Sequence, residues 1–316
     1  MNPPSPQEGP LPLPAEGGFL VVDKPCGPTS HQVTAWVRDI LGVEKAGHTG
    51  TLDPAVSGVL VIGFGRALRL LPLVLTFPKR YVTRITLHGE VRNRDLERVL
   101  SEFEGPIYQT PPVRSAVRRE RRVRTIHHLR LLDQKGRDLL LDVSCDSGTY
   151  VRTLATDLGE ALGAGAHMAE LRRIATGPFG EDQAVPLWKI SDAAHEARAG
   201  DTTRWKALLQ SPKIVWGRFP QLVIKDSAVD SLAHGADLAV PGVLKVTGHF
   251  AVGDRVVLVT RRDELVALGT ALRDSTAWSV PPEGYVVDAQ QVLMEAGRYP
   301  SWNPSPKAPP SGTTPG

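Results

Sequence analysis

The chain has 316 residues, of which 41 % are hydrophobic and 22 % are charged, so it can fill a large core and global disorder is excluded. Its two cysteines, Cys26 and Cys145, lie far apart and outside any Cys/His metal-binding spacing, which argues against a disulfide framework and a zinc site. No stretch approaches the roughly 20 apolar residues that cross a bilayer and no targeting signal is seen, so we expect a cytoplasmic protein without membrane contact.

Two Pro-rich segments flank the predicted folded region, at 1–17 and 299–316, and both are predicted to be disordered tails. The folded region begins with a short apolar strand over 19–22. Ser30 is predicted to cap a helix that ends at Gly42. The apolar residues of this helix recur at helical spacing and are Val33, Trp36, Val37, Ile40 and Leu41.

A loop with the sequence GHTGTLDP follows this helix and leads into a buried strand over 59–65. Residues 66–75 are predicted to form a helix, and residues 79–90 have the pattern of a strand. Residues 94–104 have the pattern of a short amphipathic helix.

The segment LLLDVSCDSG alternates apolar and polar residues, which predicts a half-buried strand with Asp142 on its polar face. Residues 150–163 place their apolar side chains on one helical stripe. The next stretch, 163–179, begins as a loop and continues as a strand or a helix, two alternatives that its pattern leaves open. Residues 185–215 are predicted to be mostly helical.

The pattern of residue types changes near Pro220. Between 222 and 288, short runs rich in β-branched residues are separated by glycine turns, a spacing that is typical of a small barrel. We therefore predict one domain over 18–217 and a second over 218–298.

A single carboxylate, Asp53, stands in the loop GHTGTLDP. Asp-Pro pairs are common in turns, so this pair alone predicts a structural role. The surrounding Gly47, Gly50 and Gly58 allow a bulky group to approach the backbone, and His48 adds a hydrogen-bonding group. A carboxylate on such a loop, braced by the strand that follows, is well placed to act on a ligand.

Three further residues are candidates for the same site. Tyr150 and Arg152 lie two positions apart at a strand-to-helix junction, and Arg152 is a candidate partner for the Asp53 carboxylate. Tyr81, in KRYV, is a third candidate. Each has a plainer alternative, because most arginines lie on the surface and most strand tyrosines belong to a core or a sheet edge.

An arginine-rich segment lies between the predicted helix over 94–104 and the strand predicted in LLLDVSCDSG. From Arg114 to Arg130 the chain has seven arginines and one acid, Glu120. Arginines at this density suit contact with RNA phosphates and bases, although a solvated pair of basic strands has the same composition. The residues expected to bind RNA are Arg114, Arg118, Arg119, Arg121 and Arg122.

The motifs GHTGTLDPAVSGVLVIGFGRALR, KRYV, GTYVRTL and GAHMAELRR occur in an order that resembles the TruB/dyskerin family of RNA pseudouridine synthases. The segments DKPCGPTSHQV, IYQTPPVRSAVRR and KDSAVDSLAHGADLAVPGV are similar to the archaeal and eukaryotic branch, the catalytic subunit of H/ACA ribonucleoproteins. The resemblance implies an α+β pseudouridine synthase fold, a central mixed and mainly antiparallel sheet flanked by helices. A C-terminal small β-barrel, the PUA domain, is expected to follow and to bind RNA.

By this resemblance Asp53 is the essential carboxylate, Arg152 pairs with it, and Tyr81 stacks on the flipped uracil. Which step Asp53 performs stays open. Arg80 stands where the archaeal pattern usually has an acid, and it is expected to add a phosphate contact.

Five more residues are expected to contact or support the substrate. Tyr150 and Leu171 line the pocket, and His48 lies against displaced nucleotides. Lys24 and Pro25 support the loops of the active site. No metal and no cofactor are expected.

The implied partners are RNA, namely an H/ACA guide RNA, rRNA and in a second mode tRNA, together with small accessory proteins. A stand-alone tRNA pseudouridine synthase is one alternative, and a catalytically silent RNA-binding scaffold is another. Retention of Asp53, Tyr81, Tyr150 and Arg152 argues against the silent scaffold.

Overall fold

The computed structural model describes residues 10–110 and 120–301. These residues belong to two compact units, which divide between Val215 and Trp216. The predicted RNA contacts at Arg114, Arg118 and Arg119 lie outside the described residues.

The first unit is built on one large sheet. Its strands are β1 (Gly18–Lys24), β2 (Ala46–Thr49), β3 (Ser57–Phe64), β4 (Lys79–Leu87), β5 (Gly105–Gln109), β6 (Arg122–Lys135), β7 (Asp138–Cys145), β8 (Ala166–Thr176) and β9 (Phe179–Gly180). The strand order is β1-β3-β8-β4-β7-β6-β5, with β2 paired to β3 and β9 paired to β8. Strands β3 and β8 run parallel, and the other pairs in the described ranges are antiparallel, which confirms the predicted mixed sheet.

Helices flank this sheet. They are α1 (Ser30–Leu41), α2 (Leu71–Thr76), α3 (Asn93–Glu102), α4 (Val151–Ala161), α5 (Leu187–Arg198) and α6 (Thr203–Leu208). Helix α7 (Lys213–Trp216) spans the division between the two units. Short 3-10 turns cover Gly65–Leu70 and Glu181–Gln183. Residues 163–179, for which the sequence pattern left strand and helix as alternatives, contain strand β8.

Helix α1 begins one residue earlier than the predicted cap requires. Thr29 is the N-cap: its hydroxyl accepts from the Gln32 amide at 3.1 Å, and the Gln32 side chain accepts from the Thr29 amide at 2.8 Å. Ser30 is the first helical residue instead, because its hydroxyl is engaged with the loop that carries Asp53. The predicted helix end is confirmed, since Gly42 has a positive φ of 66°.

Within the described residues, two clusters of buried apolar side chains cover parts of this sheet. Helices α1, α5 and α6 bury Val33, Val37, Ile190 and Trp205 in a cluster with residues of β1 and β3. Helices α3 and α4 pack on β4, β6 and β7.

Two predictions about burial were wrong. Asp142 is 4 % exposed, because the Arg80 guanidinium covers it with hydrogen bonds of 2.9 Å and 2.5 Å. This bidentate pair lowers the pKa of Asp142 and occupies the side chain of Arg80 that was expected to contact phosphate. Residues 10–17 also depart from the predicted tail: Leu11 packs in the α1 core, and Trp205 donates to the Pro12 carbonyl at 3.3 Å.

The second unit is a six-stranded sheet with one helix in the described residues. Its elements are β10 (Gln221–Ile224), α8 (Asp226–Ala233), β11 (Leu238–Ala239), β12 (Val243–Thr247), β13 (Arg255–Val259), β14 (Leu265–Ala271) and β15 (Tyr285–Val292). The order is β11-β15-β14-β13-β10-β12. Its core extends to Tyr299, which the sequence assigned to the C-terminal tail; the Tyr299 hydroxyl donates to Glu264 at 2.5 Å.

Among the residues that the structure describes, no helix is both long enough and apolar enough to cross a membrane.

Candidate active site

The Asp53 loop connects β2 to β3 and contains a turn. The Val56 amide donates to the Asp53 carbonyl at 3.0 Å, so the turn predicted from the Asp-Pro pair is present. The Asp53 side chain is 64 % exposed. The turn therefore presents its carboxylate to solvent at the point where the sheet changes to parallel pairing.

Lys24, at the end of β1, holds this loop from below. Its ammonium donates to the Pro54 carbonyl at 3.4 Å, to the Val56 carbonyl at 2.8 Å and to the Pro25 carbonyl at 2.9 Å. The whole residue is inaccessible to solvent, and burial lowers the pKa of Lys24. Two of its three partners, Pro54 and Val56, lie within three residues after Asp53.

Helix α1 holds the other side of the loop. The Ser30 hydroxyl donates to the Leu52 carbonyl at 3.0 Å and accepts from the Leu52 amide at 2.9 Å. The Gly27 amide donates to the Pro54 carbonyl at 2.8 Å. Residues on both sides of Asp53 are thus fixed by hydrogen bonds to other elements.

Arg173, on β8, lies beneath the loop and was not expected at the site. Its guanidinium donates to the Gly50 carbonyl at 2.7 Å and to the Val59 carbonyl at 2.7 Å, and only 1 % of the residue is exposed. A Cβ on Gly58 would lie 2.1 Å from the Arg173 carbonyl, and one on Gly50 would lie 3.0 Å from the guanidinium. The bulky group that these two glycines admit is therefore Arg173 itself.

Arg152 brings its side chain to Asp53 from the first turn of α4. Its Nη2 donates to Asp53 Oδ2 at 3.0 Å, which is the pairing predicted from the sequence. Both side chains are more than half exposed, and exposed ion pairs contribute about 0–1 kcal/mol to stability. The pair therefore orients the carboxylate more than it stabilises the fold.

Tyr81 and Leu171 lie on two neighbouring strands, β4 and β8. In the antiparallel β4–β8 register, Tyr81 stands opposite Arg173 and Thr83 opposite Leu171. Burial raises the pKa of Tyr81, and the adjacent Arg173 guanidinium opposes this shift. Tyr81 and Leu171 are both half-buried.

Tyr150 is the N-cap residue of α4 and is also half-buried. Pro25 is exposed and contributes its carbonyl to Lys24.

His48 is bound to α1 and to the loop, with Asp53 outside its immediate contacts. Its Nδ1 lies 2.8 Å from the Thr34 hydroxyl and its Nε2 lies 3.3 Å from the Thr51 hydroxyl. Thr34 donates its own hydrogen to the Ser30 carbonyl at 2.8 Å, which assigns the proton of His48 to Nδ1. Burial, with His31 and Arg173 nearby, lowers the pKa of His48 to about 4.

The arginine-rich segment is described from Glu120 onward. Arg122 opens β6, and the Arg121 guanidinium lies 4.3 Å from the centre of the Tyr108 ring. Tyr108 is 64 % exposed, so this pair forms an accessible cation–aromatic surface.

Comparison with known proteins identifies the family. Residues 38–151 match the N-terminal domain of TruB family pseudouridylate synthases, residues 152–212 the C-terminal domain of tRNA pseudouridylate synthase B, and residues 220–293 the PUA domain. The chain is 47 % identical over 284 residues to the probable tRNA pseudouridine synthase B of Methanothermobacter thermautotrophicus, which covers 90 % of this chain and 88 % of the relative. It is 44 % identical over 298 residues to the protein of that name from Pyrococcus abyssi, covering 93 % and 89 %.

The chain belongs to the TruB family of pseudouridine synthases, enzymes that isomerise uridine to pseudouridine in RNA. A chain in the crystal structure of a Cbf5-Nop10-Gar1 complex matches it with a TM-score of 0.86 and 42 % identity, covering 94 % of this chain and 93 % of that one. A chain in an H/ACA ribonucleoprotein bound to a substrate RNA containing 2′-deoxyuridine matches with a TM-score of 0.83 and 40 % identity, over 94 % and 93 %. These matches confirm the expected fold, with its PUA domain, and the H/ACA branch of the family.

Sequence reasoning missed Arg173 and Ser30, although a signal for Arg173 was present. Leu171 was recognised, and on a strand the residue two positions later faces the same side. Assigning GAHMAELRRIAT to a strand would have placed Arg173 beside Leu171 and opposite Tyr81. For Ser30 no such local signal exists, because its partner lies 22 positions away.

Proposed function

We propose that this enzyme uses Asp53 as its essential carboxylate and that an H/ACA guide RNA selects the target uridine by base pairing. The observation that carries the proposal is the exposed Asp53–Arg152 pair on a loop held by Lys24, Ser30 and Arg173. A carboxylate held this firmly, yet open to solvent, suits a reaction on a base that enters from outside.

The reaction breaks the bond between N1 and C1′ of a uridine, rotates the uracil and rejoins it through C5. The target uridine is stacked in folded RNA and must be flipped out before the carboxylate can reach it. In the proposed complex Asp53 acts on the flipped nucleotide, and Arg152 keeps its carboxylate pointed at the reacting ring. Tyr81 stacks on the uracil, beside Leu171, and relays the proton that leaves C5.

The other predicted site residues have supporting roles in this proposal. Tyr150 lines the pocket, and His48, which carries no charge near neutral pH, lies against nucleotides displaced by flipping. Lys24 and Pro25 support the loop. Arg114, Arg118, Arg119, Arg121 and Arg122 are proposed to contact the RNA, and the Arg121–Tyr108 pair adds a surface for base stacking.

The proposed division of labour assigns catalysis to residues 18–217 and guide-RNA binding to the PUA domain over 218–298. The proposed partners are an H/ACA guide RNA, its rRNA target and small accessory proteins. Support comes from the Cbf5-Nop10-Gar1 chain, which is 42 % identical and shares nearly the full length. The proposed location is the cytoplasm of an archaeal-type cell, which fractionation of the host would test.

The decisive experiment is Asp53→Asn, measured by tritium release from RNA labelled at C5 of uridine. The amide keeps the shape of the carboxylate but removes its charge, so we expect turnover to fall more than about a thousandfold. RNA affinity should change less than about fivefold, because the pair lost is solvent-exposed. Asp133→Asn, on the exposed edge of β6, is the matched control. Normal turnover by Asp53→Asn would overturn the site assignment.

A stand-alone activity on tRNA is the second candidate, and the relatives named tRNA pseudouridine synthase B favour it. The two modes separate when the enzyme is given a tRNA transcript alone, or an rRNA fragment with and without its guide RNA. Turnover of rRNA that requires the guide supports the first mode. Turnover of tRNA without any guide supports the second.

A further inference from the structure

A buried glutamine side chain holds the backbone at the start of the helix that carries Arg152. Gln109 is the last residue of β5 and is 3 % exposed. Its Nε2 donates to the Tyr150 carbonyl at 3.1 Å, and its Oε1 accepts from the Tyr150 amide at 2.9 Å. The two bonds engage both main-chain groups of one residue that lies 41 positions away.

Tyr150 is the point where α4 begins. Its carbonyl also accepts the first helical hydrogen bond, from the Leu154 amide at 3.0 Å. The Tyr150 side chain makes no capping bond, and the first turn of α4 contains no acidic residue. The position of this helix end is therefore set from outside by the Gln109 amide.

Arg152 lies in the first turn of α4, two residues after Tyr150. Its ion pair with Asp53 is solvent-exposed, with 59 % and 64 % of the two side chains accessible, so the pair contributes too little free energy to fix the backbone of α4. A guanidinium on a long side chain meets a carboxylate reproducibly only if the backbone that carries it is fixed. Gln109 supplies that restraint through Tyr150.

We propose that Gln109 is a positioning residue for pseudouridine formation, which places Arg152 against Asp53 by holding the N-cap residue of α4. This inference rests on the proposed function, since it assumes that the Asp53–Arg152 pair carries the reaction.

The first test is Gln109→Met, which preserves length and flexibility but makes neither bond. Misplacing a reacting group by about 1 Å can lower a rate about a hundredfold, so we expect the single-turnover rate constant to fall between about tenfold and a hundredfold. The Kd for RNA should stay near the wild-type value. Gln134→Met, on partly exposed β6 of the same sheet, is the matched control.

The second test is Gln109→Glu, whose outcome depends on pH. At neutral pH the carboxylate can accept from the Tyr150 amide but cannot donate to its carbonyl. Burial next to that carbonyl raises the pKa of the new carboxyl. Once protonated it donates as the amide did, so the rate of this variant relative to wild type should rise as the pH falls from about 8 to about 5.5. Gln134→Glu should show no such recovery.

Hydrogen exchange of the amides in 150–154, without RNA, tests the restraint independently of activity. We expect faster exchange there in Gln109→Met and unchanged exchange in β1. Faster exchange, a lower rate constant and pH-dependent recovery together support the proposal. Unchanged exchange, an unchanged rate constant, or a Gln109→Glu variant whose rate keeps a constant ratio to wild type overturns it. If wild type itself fails to modify RNA while exchange responds as expected, the proposed function fails and the restraint stands.

Discussion

Replacing Lys24 with methionine tests how the active-site loop is held. Lys24 is fully buried and donates to the carbonyls of Pro54 and Val56, which follow Asp53. Methionine has a similar length and fills the same space, but it donates no hydrogen bond. The substitution thus removes the restraint and leaves Asp53, Arg152 and Tyr81 in place.

The magnitude follows from these contacts. A hydrogen bond from a charged donor contributes about 1.5–3 kcal/mol, so the two loop bonds represent about 3–6 kcal/mol of interaction. Methionine also removes a buried ammonium, whose lowered pKa shows that burial disfavours its charged form. Because this gain offsets part of the loss, we expect the free energy of unfolding to fall by only about 1–3 kcal/mol.

The effect on catalysis should be larger than the effect on stability. The loop carries the reacting carboxylate, and a shift of about 1 Å can lower turnover about a hundredfold. Tritium release under single-turnover conditions measures the rate, urea unfolding measures stability, and filter binding measures RNA affinity. Lys45→Met is the control, because the Lys45 side chain is 77 % exposed. Wild-type turnover in Lys24→Met, or an equal loss of turnover and RNA binding, would refute the reasoning.

Three further predictions concern the same region. Gly58→Ala should lower the free energy of unfolding by at least about 3 kcal/mol, because its Cβ would lie 2.1 Å from the Arg173 carbonyl oxygen. Gly27 has a similar φ but open space around it, so Gly27→Ala should lower the free energy of unfolding less in the same urea titration. His48 should titrate near pH 4 in NMR spectra, and stability should decline as the pH falls from 6.5 towards 4, because the unfolded chain binds the proton more tightly; a midpoint near 6.5 would contradict the packing described. Burial lowers the pKa of Lys79 from 10.5 to about 8. The free energy of unfolding of wild type should therefore rise by up to about 3 kcal/mol relative to that of Lys79→Met as the pH rises from 8 to 10.5. A difference that stays constant over this range would contradict the prediction.

Much of the local structure could be predicted because it depends on neighbours in the chain. The apolar spacing of Val33 and Val37 indicated α1, and Gly42 indicated its end. The Asp-Pro pair indicated the turn at Asp53. The order of four motifs indicated the family, and with it a partner for Asp53 in Arg152. Each of these conclusions uses residues within a few positions of one another or a pattern spread along the whole chain.

Burial was the property that the sequence predicted least well. Asp142 occupies a polar position of an alternating strand, yet it is covered because Arg80 on the neighbouring strand reaches across it. Thr29 and Ser30 are both good capping residues, and the choice between them was made by Leu52, which engages the Ser30 hydroxyl. Neither partner can be identified from the sequence alone, because Arg80 lies 62 positions from Asp142 and Leu52 lies 22 positions from Ser30.

The sequence by itself determined the family, many of the helices and strands, and the turn that presents Asp53, because these depend on local propensity and on motifs. Only the tertiary structure decided what holds that turn. Arg173 binds the Gly50 carbonyl from 123 positions away, and it can do so only because β3 and β8 run parallel with Gly58 opposite Arg173. A buried arginine and a surface arginine are the same letter in a sequence, and the sheet register distinguishes them.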